Sequence, residues 1–177
     1  MRVLVVYESM FGNTREVATA IADGIAGRLP VETIEVADAP VELPQDVGLL
    51  VVGGPTHAHG MTTSATRADA ANRAGERLVS HGQGVREWLD ALRPGLVSIP
   101  GAAFDTRIHG PEVLWGSAAK GIAKRLAGLG LKPVRAESFK IGGPTGPLFD
   151  RLSDEERQRA RTWGAELAAT LGTPVAV

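Results

Sequence analysis

Ser9, Gly12, Asn13 and Thr14 fall within one hexapeptide, Ser9-Met10-Phe11-Gly12-Asn13-Thr14, just after an apolar run that ends at Tyr7. Two hydroxyls, a side-chain amide and a Gly-Asn turn in that space are groups that bind an anion. A helix opening at Thr14 adds first-turn N–H groups that have no partner within the helix, and its dipole favours negative charge there. A phosphate fits such a loop with no lysine in it. A second polar group lies further along. His57-Ala58-His59 follows Gly53-Gly54-Pro55-Thr56, and Asp105-Thr106-Arg107-Ile108-His109 comes later. Histidine and aspartate are good ligands for first-row metals, and histidine exchanges protons near neutral pH. No metal-ligand spacing motif accompanies them. The plain reading is that these histidines line a cleft or sit partly exposed on loops, with no metal.

The elements that must position these residues follow from periodicity. Residues 3–7 are a β-branched run that reads as a buried strand. Residues 14–29 carry Val17, Ile21, Ile25 and Leu29 at intervals of four, an apolar helical stripe with Glu16 and Asp23 opposite. Gly24 beside the stripe predicts a close approach of this helix to the sheet, and Pro30 stops it. Residues 31–36 have the mixed polarity of an edge strand. Residues 48–54 are apolar throughout and read as a central strand, with a loop over 55–61. Residues 62–84 are the least legible. Within them, 66–79 fits either a helix or an ordered flap, and Arg67, Arg73 and Arg77 read as a solvated face. Residues 85–92 form a short amphipathic helix. The strand 96–104 contains Pro100-Gly101, which predicts a late start or a bulge. A loop over 105–111, a helix over 117–129, a strand over 131–141 and a turn-rich loop over 142–147 follow. Ser153-Asp154-Glu155-Glu156 reads as a capping box before a last helix that runs to about Leu171. Tyr7, Trp88 and Trp163 read as packing, and Glu8 as facing solvent or capping the loop.

Strands alternating with helices predict an α/β fold, with a parallel sheet wound on both faces. Five such strands fit the order 2-1-3-4-5 in one domain of 177 residues. In that order the ligand crevice lies between strands 1 and 3, outside their C-terminal ends. The loops over 8–13, 55–61 and 105–111 then meet there.

The first loop resembles the phosphate loop of flavodoxins, in which Ser/Thr-x-Thr-Gly-x-Thr wraps the phosphate of flavin mononucleotide (FMN). Ser9, Gly12 and Thr14 match. Met10 and Asn13 fall at free positions, and Phe11 stands where the family usually has a hydroxyl. Gly53-Gly54-Pro55-Thr56 is similar to the family's Gly-Ser-Pro-Thr. The resemblance implies a flavodoxin-like three-layer sandwich with FMN as cofactor. It implies that Pro55 and Thr56 lie near the phosphate or ribityl chain. His57, Ala58, His59 and Gly60 would then run along the isoalloxazine, with His57 where the family often has a stacking Trp. Ala58 and Gly60 are both open as the residue whose peptide faces the flavin. Asp105 matches an aspartate of the family's third loop, which here also holds Thr106, Arg107 and His109. No Tyr follows it, so Ile108, His109 and Trp115 are the candidate covers for the outer flavin face.

Composition narrows the functions. With 19 basic and 20 acidic residues the net charge is −1, which gives no sign of nucleic acid or an anionic membrane as partner. Flavodoxins are typically acidic, so docking to a redox partner depends here on a local patch or on different contacts. The absence of Cys excludes disulfides and thiol chemistry, including that of a low-molecular-weight tyrosine phosphatase. Gly53-Gly54 stands where a phosphoacceptor receiver domain needs Asp. There is no G-x-S-x-G for a serine hydrolase and no G-x-G-x-x-G for a separate nicotinamide domain. No apolar run approaches the roughly 20 residues of a membrane helix. Arg2 leads straight into a strand-like run too short for a signal peptide. The expectation is a soluble, cytoplasmic FMN protein that carries electrons to a redox partner protein or a small oxidant. An FMN-dependent NAD(P)H:quinone-type oxidoreductase is the alternative, and a flavin-free module on the same fold is a third. Sequence gives no oligomeric state.

Overall fold

Val3, Leu4, Val5 and Val6 are consecutive and all buried, so the strand that carries them is covered on both faces. It belongs to a computed structural model that describes residues 1–57, 59–74, 78–95, 98–108, 116–142 and 151–171. The described elements are, in chain order, β1 (Arg2–Tyr7), α1 (Asn13–Ala26), β2 (Val31–Glu35), β3 (Val47–His57) and β4 (Gly60–Met61). They continue with α2 (Ser64–Ala74), α3 (Val85–Ala91), β5 (Pro100–Ile108), α4 (Ala118–Gly128), β6 (Lys132–Ile141) and α5 (Asp154–Leu171). The sheet runs β2-β1-β3-β5-β6, and every neighbour in that path is parallel. β4 only folds back on the end of β3 as an antiparallel pair. Counting the parallel strands alone gives the expected 2-1-3-4-5.

Side chains alternate along each strand, so each face has its own core. Val3, Val5, Leu49, Val51 and Phe104 pack with Val17, Ile21 and Ile25 of α1 and with Trp163 and Leu167 of α5. Leu4, Val6, Leu50, Val52 and Ala103 pack with Trp88 and Leu89 of α3 and with Ile122 and Leu126 of α4. Both tryptophans are packing residues, as expected. The Trp88 indole also donates to the Pro40 carbonyl at 3.2 Å. Phe139 meets Phe104 and Trp163 edge-on at 6.4 and 6.1 Å.

Several boundaries move. α1 ends at Ala26, and Gly24 lets it approach α5 and not the sheet: a methyl on Gly24 would overlap the carbonyl oxygen of Arg161. β3 continues to His57, because its pairing with β5 persists to Pro55↔Thr106 and Thr56 and His57 then pair with Met61 and Gly60 of β4. β5 likewise runs to Ile108, held by β6, so Asp105, Thr106 and Arg107 lie on a strand and not in a loop. Its late start at Pro100 and the register shift between Gly101 and Ala102 both match the Pro-Gly signal. The helix within 66–79 exists but spans Ser64–Ala74. The capping box before α5 is half formed. Ser153 Oγ accepts from the Glu156 amide at 3.2 Å, but the Glu156 carboxylate turns to the Lys140 amide and to Arg159. No described helix is long and apolar enough to cross a membrane.

Candidate functional site

The loop between β1 and α1 turns on Gly12, whose φ of 96° is left-handed and favours glycine. Ser9 organises it from inside. Its Oγ accepts the amides of Gly12 at 3.1 Å and Arg15 at 3.3 Å. Neither bond uses the hydroxyl's own proton. The first helical bond runs from the Glu16 amide to the Gly12 carbonyl at 3.0 Å. The amides of Met10, Phe11 and Thr14 carry no hydrogen bond among the described residues. Met10 is buried, and Phe11 is half exposed. Asn13 Oδ1 accepts the Leu152 amide at 3.0 Å and ties the loop to the segment before α5. The Thr14 and Thr106 hydroxyls pair at 2.7 Å, joining the start of α1 to β5.

A cleft of about 260 Å³ opens beside this loop. Ser9, Met10, Phe11, Asn13 and Thr14 form one side, and Pro55, Thr56 and His57 of β3 another. Thr106, Arg107 and Ile108 of β5 and Ile141 of β6 complete the base. Asp69, Ala70 and Arg73 of α2, from the segment read as a helix or an ordered flap, form a further wall. The three chain segments expected at the switch point do meet. Burial lowers the His57 pKa, with the Asp69 carboxylate opposing and Arg73 reinforcing, so the imidazole is neutral at pH 7.

Thr56 lines the cleft but its hydroxyl is committed to the protein, and other expected residues stand off the lining. Thr56 Oγ1 donates to Asp105 Oδ2 at 3.1 Å and accepts the Ala118 amide at 2.9 Å, so this hydroxyl caps α4. Asp105 is fully buried and off the cleft. Its Oδ2 takes the Ser117 hydroxyl at 2.7 Å and the Ala119 amide at 2.9 Å as well. His59 is exposed with φ 74° and stands off the cleft lining, and Gly60 is in β4. Ala58, His109, Trp115 and Arg77 lie outside the described residues. Among the described residues, no three His, Asp or Glu side chains gather as a metal site.

Glu8 and Arg67 depart furthest from expectation. Glu8 is 1% exposed, neither in solvent nor capping its own loop. Its carboxylate accepts the Thr62 hydroxyl at 2.6 Å and the Val85 amide at 2.8 Å. Arg67 leaves the solvated face to donate to Thr62 Oγ1 at 3.2 Å and pair with Glu87 at 3.0 Å. Ser80 was not singled out either, yet it is buried against Ser9. No local pattern marks these residues, since each partner is remote in sequence.

The donor set fits a phosphate. The loop presents N–H and O–H groups with no carboxylate, at a helix N-terminus beside two arginines. No protein-family model matches the sequence, and a comparison with curated proteins returns no match. Solved structures do match. An archaeal flavodoxin is 20% identical with a TM-score of 0.64, over 98% of this chain and 100% of that one. A flavodoxin of Streptococcus pneumoniae is 15% identical with a TM-score of 0.62, over 96% and 99%. Rubredoxin oxygen:oxidoreductase of Desulfovibrio gigas is 19% identical with a TM-score of 0.59, over 96% of this chain and 36% of that larger one. At such identities the likeness is one of architecture, and it shows that this chain has the flavodoxin fold.

Proposed function

We propose that the chain binds FMN at the loop before α1 and acts as an electron-transfer protein toward a redox partner protein or a small oxidant. The observation that carries this reading is the set of open amides at Met10, Phe11 and Thr14, at the mouth of a cleft on the switch point of a flavodoxin fold. FMN, when bound, supplies the one- and two-electron chemistry. The chain's own residues bind and orient it. The loop amides with the Ser9 and Thr14 hydroxyls hold the phosphate monoester. Arg73 and Arg107 add positive charge to the cleft, which favours a dianion. Neutral His57 lines the same space and offers an N–H to a polar edge.

Titration of the apo-protein with FMN and with riboflavin tests this reading. Binding at 1:1 is expected, tighter for FMN. An absence of binding at micromolar FMN overturns it and leaves the flavin-free module.

One observation favours the reductase as a second reading. α2 places Asp69 and Arg73 on the cleft wall, so a small polar substrate meets charged groups beside the loop. Steady-state turnover of NADH or NADPH with a quinone by the FMN-loaded protein separates the two readings. The carrier shows none above free FMN.

A further inference from the structure

Ser9 is held at every polar atom. Its Oγ accepts the Gly12 and Arg15 amides from within the loop. Its backbone is held from outside, by one residue 71 positions away. The Ser9 amide donates to Ser80 Oγ at 2.8 Å, and the Ser80 amide donates to the Ser9 carbonyl at 2.8 Å. The Val79 amide extends this pairing to the Met10 carbonyl at 3.1 Å. Ser80 is 4% exposed and Ser9 fully buried, so water does not compete for these bonds.

The segment that delivers Ser80 is itself fixed at both ends. At its start, Arg86 donates to the carbonyls of Met61 and Thr62 at 2.9 and 3.0 Å. At its end, the Val85 amide is bound to Glu8, the residue before Ser9. Gly84 passes so close that a side chain there would overlap Arg67. Residues 78–84 therefore lie as a strap along the backbone of Ser9 and Met10. With Ser9 Oγ holding Gly12 and Arg15 as well, the Met10, Phe11 and Thr14 amides are left without a protein partner among the described residues, in a fixed frame. A donor set held before the ligand arrives binds more tightly, because no ordering cost falls on binding.

We propose that Ser80 is a positioning residue that sets the selectivity of this loop for phosphate monoesters, acting through Ser9 without touching the ligand. This rests on the FMN reading above. Ser80→Ala removes the acceptor of the buried Ser9 amide, one of the two bonds that pin the Ser9 backbone. FMN affinity is expected to fall by about tenfold or more, while riboflavin, which lacks the phosphate, binds as before. Ser80→Thr keeps the hydroxyl and restores the FMN preference. A merely structural role would lower thermal stability and leave the ratio of the two affinities unchanged. Amide hydrogen exchange in the apo-proteins gives a readout free of flavin. In Ser80→Ala, exchange at Ser9 and Gly12 is expected to rise by about tenfold, with the Val5 and Val51 amides unchanged. If wild type prefers FMN and folded Ser80→Ala keeps the full preference, the inference about Ser80 is overturned while the FMN reading stands. If wild type shows no preference for FMN over riboflavin, both fall together.

Discussion

The Glu8 carboxylate and the Val85 amide meet at 2.8 Å across 77 positions of sequence. The other carboxylate oxygen takes the Thr62 hydroxyl, which in turn accepts from Arg67. One buried acid thus joins the end of β1, the entry to α2 and the start of α3. The end of β1 leads directly into the phosphate loop, and α2 lines the cleft beside it.

That acid has a pH signature. Burial raises the Glu8 pKa and is the largest cause. The bonds from Thr62 and Val85 and the Arg67 charge oppose it, and Glu87 adds to it. The native pKa lies above the unfolded value of about 4.3. Between the two, the native state binds more protons than the unfolded chain, so stability falls as pH rises through that window. Glu8→Gln does not titrate and keeps an acceptor for Val85. Its stability relative to wild type is expected to be greatest at pH 7 and to shrink toward about pH 4.5. Urea unfolding at both pH values checks this, and a difference that does not change with pH contradicts it. Glu8→Ala leaves two buried donors without an acceptor, at a cost of about 1–3 kcal/mol each.

Asp105 is expected to matter for stability and not for the ligand. Its Oδ2 accepts from Thr56, Ser117 and Ala119, which fixes the N-terminus of α4. Asp105→Ala loses three bonds to a carboxylate and a charge that suits the helix dipole. A loss of about 3 kcal/mol in chemical denaturation is expected, with FMN affinity changed by less than about twofold in the folded variant. A large affinity loss with little destabilisation would return Asp105 to the binding site.

The sequence carries the fold where apolar spacing is regular. Val17, Ile21 and Ile25 are all buried, on one face of α1, and the all-apolar stretch of β3 is central. The spacing fails over 62–84 for a physical reason: Ala70 is the only α2 side chain buried among those described, so no stripe marks the helix. Strand ends extend beyond the apolar runs where polar residues leave the core but stay paired, Arg107 with Lys140 of β6 and Thr56 with Met61 of β4. The phosphate loop was legible because its groups are adjacent in sequence. Glu8, Arg67 and Ser80 were not, because their partners become neighbours only in the folded chain.

Gly24 and Gly164 bring α1 and α5 into backbone contact. A methyl on Gly24 would overlap the Arg161 carbonyl, and one on Gly164 the Ile21 carbonyl. Helix propensity alone favours Gly24→Ala by about 1 kcal/mol. Pushing apart two helices that bury Ile21, Ile25, Trp163 and Leu167 costs about 1–3 kcal/mol, so the contact outweighs the propensity gain. Each single variant is expected to lower the melting temperature. The double variant should lose less than the sum, since one separation relieves both overlaps. Thermal unfolding of the three variants checks both points, and a stabilised Gly24→Ala would refute the contact.

Arg73 and Asp69 give an electrostatic test of the cleft. They pair at 2.9 Å one turn apart on α2, and both line the space beside the loop. The Arg73 side chain is 73% exposed, so solvent screens its charge and its effect on a bound phosphate is modest, about 0.5–1 kcal/mol. Arg73→Glu reverses the charge and is expected to weaken FMN binding by about two- to tenfold at low ionic strength. Asp69→Asn removes the opposing carboxylate and is expected to tighten it by about twofold. Both shifts should fade at about 0.5 M salt, where the Debye length is roughly 4 Å. Riboflavin, lacking the dianion, should respond to neither substitution. Fluorescence titrations of both flavins at two salt concentrations separate the outcomes. Equal changes for FMN and riboflavin, or changes that persist in salt, would mean that α2 acts on the ligand through shape and not charge.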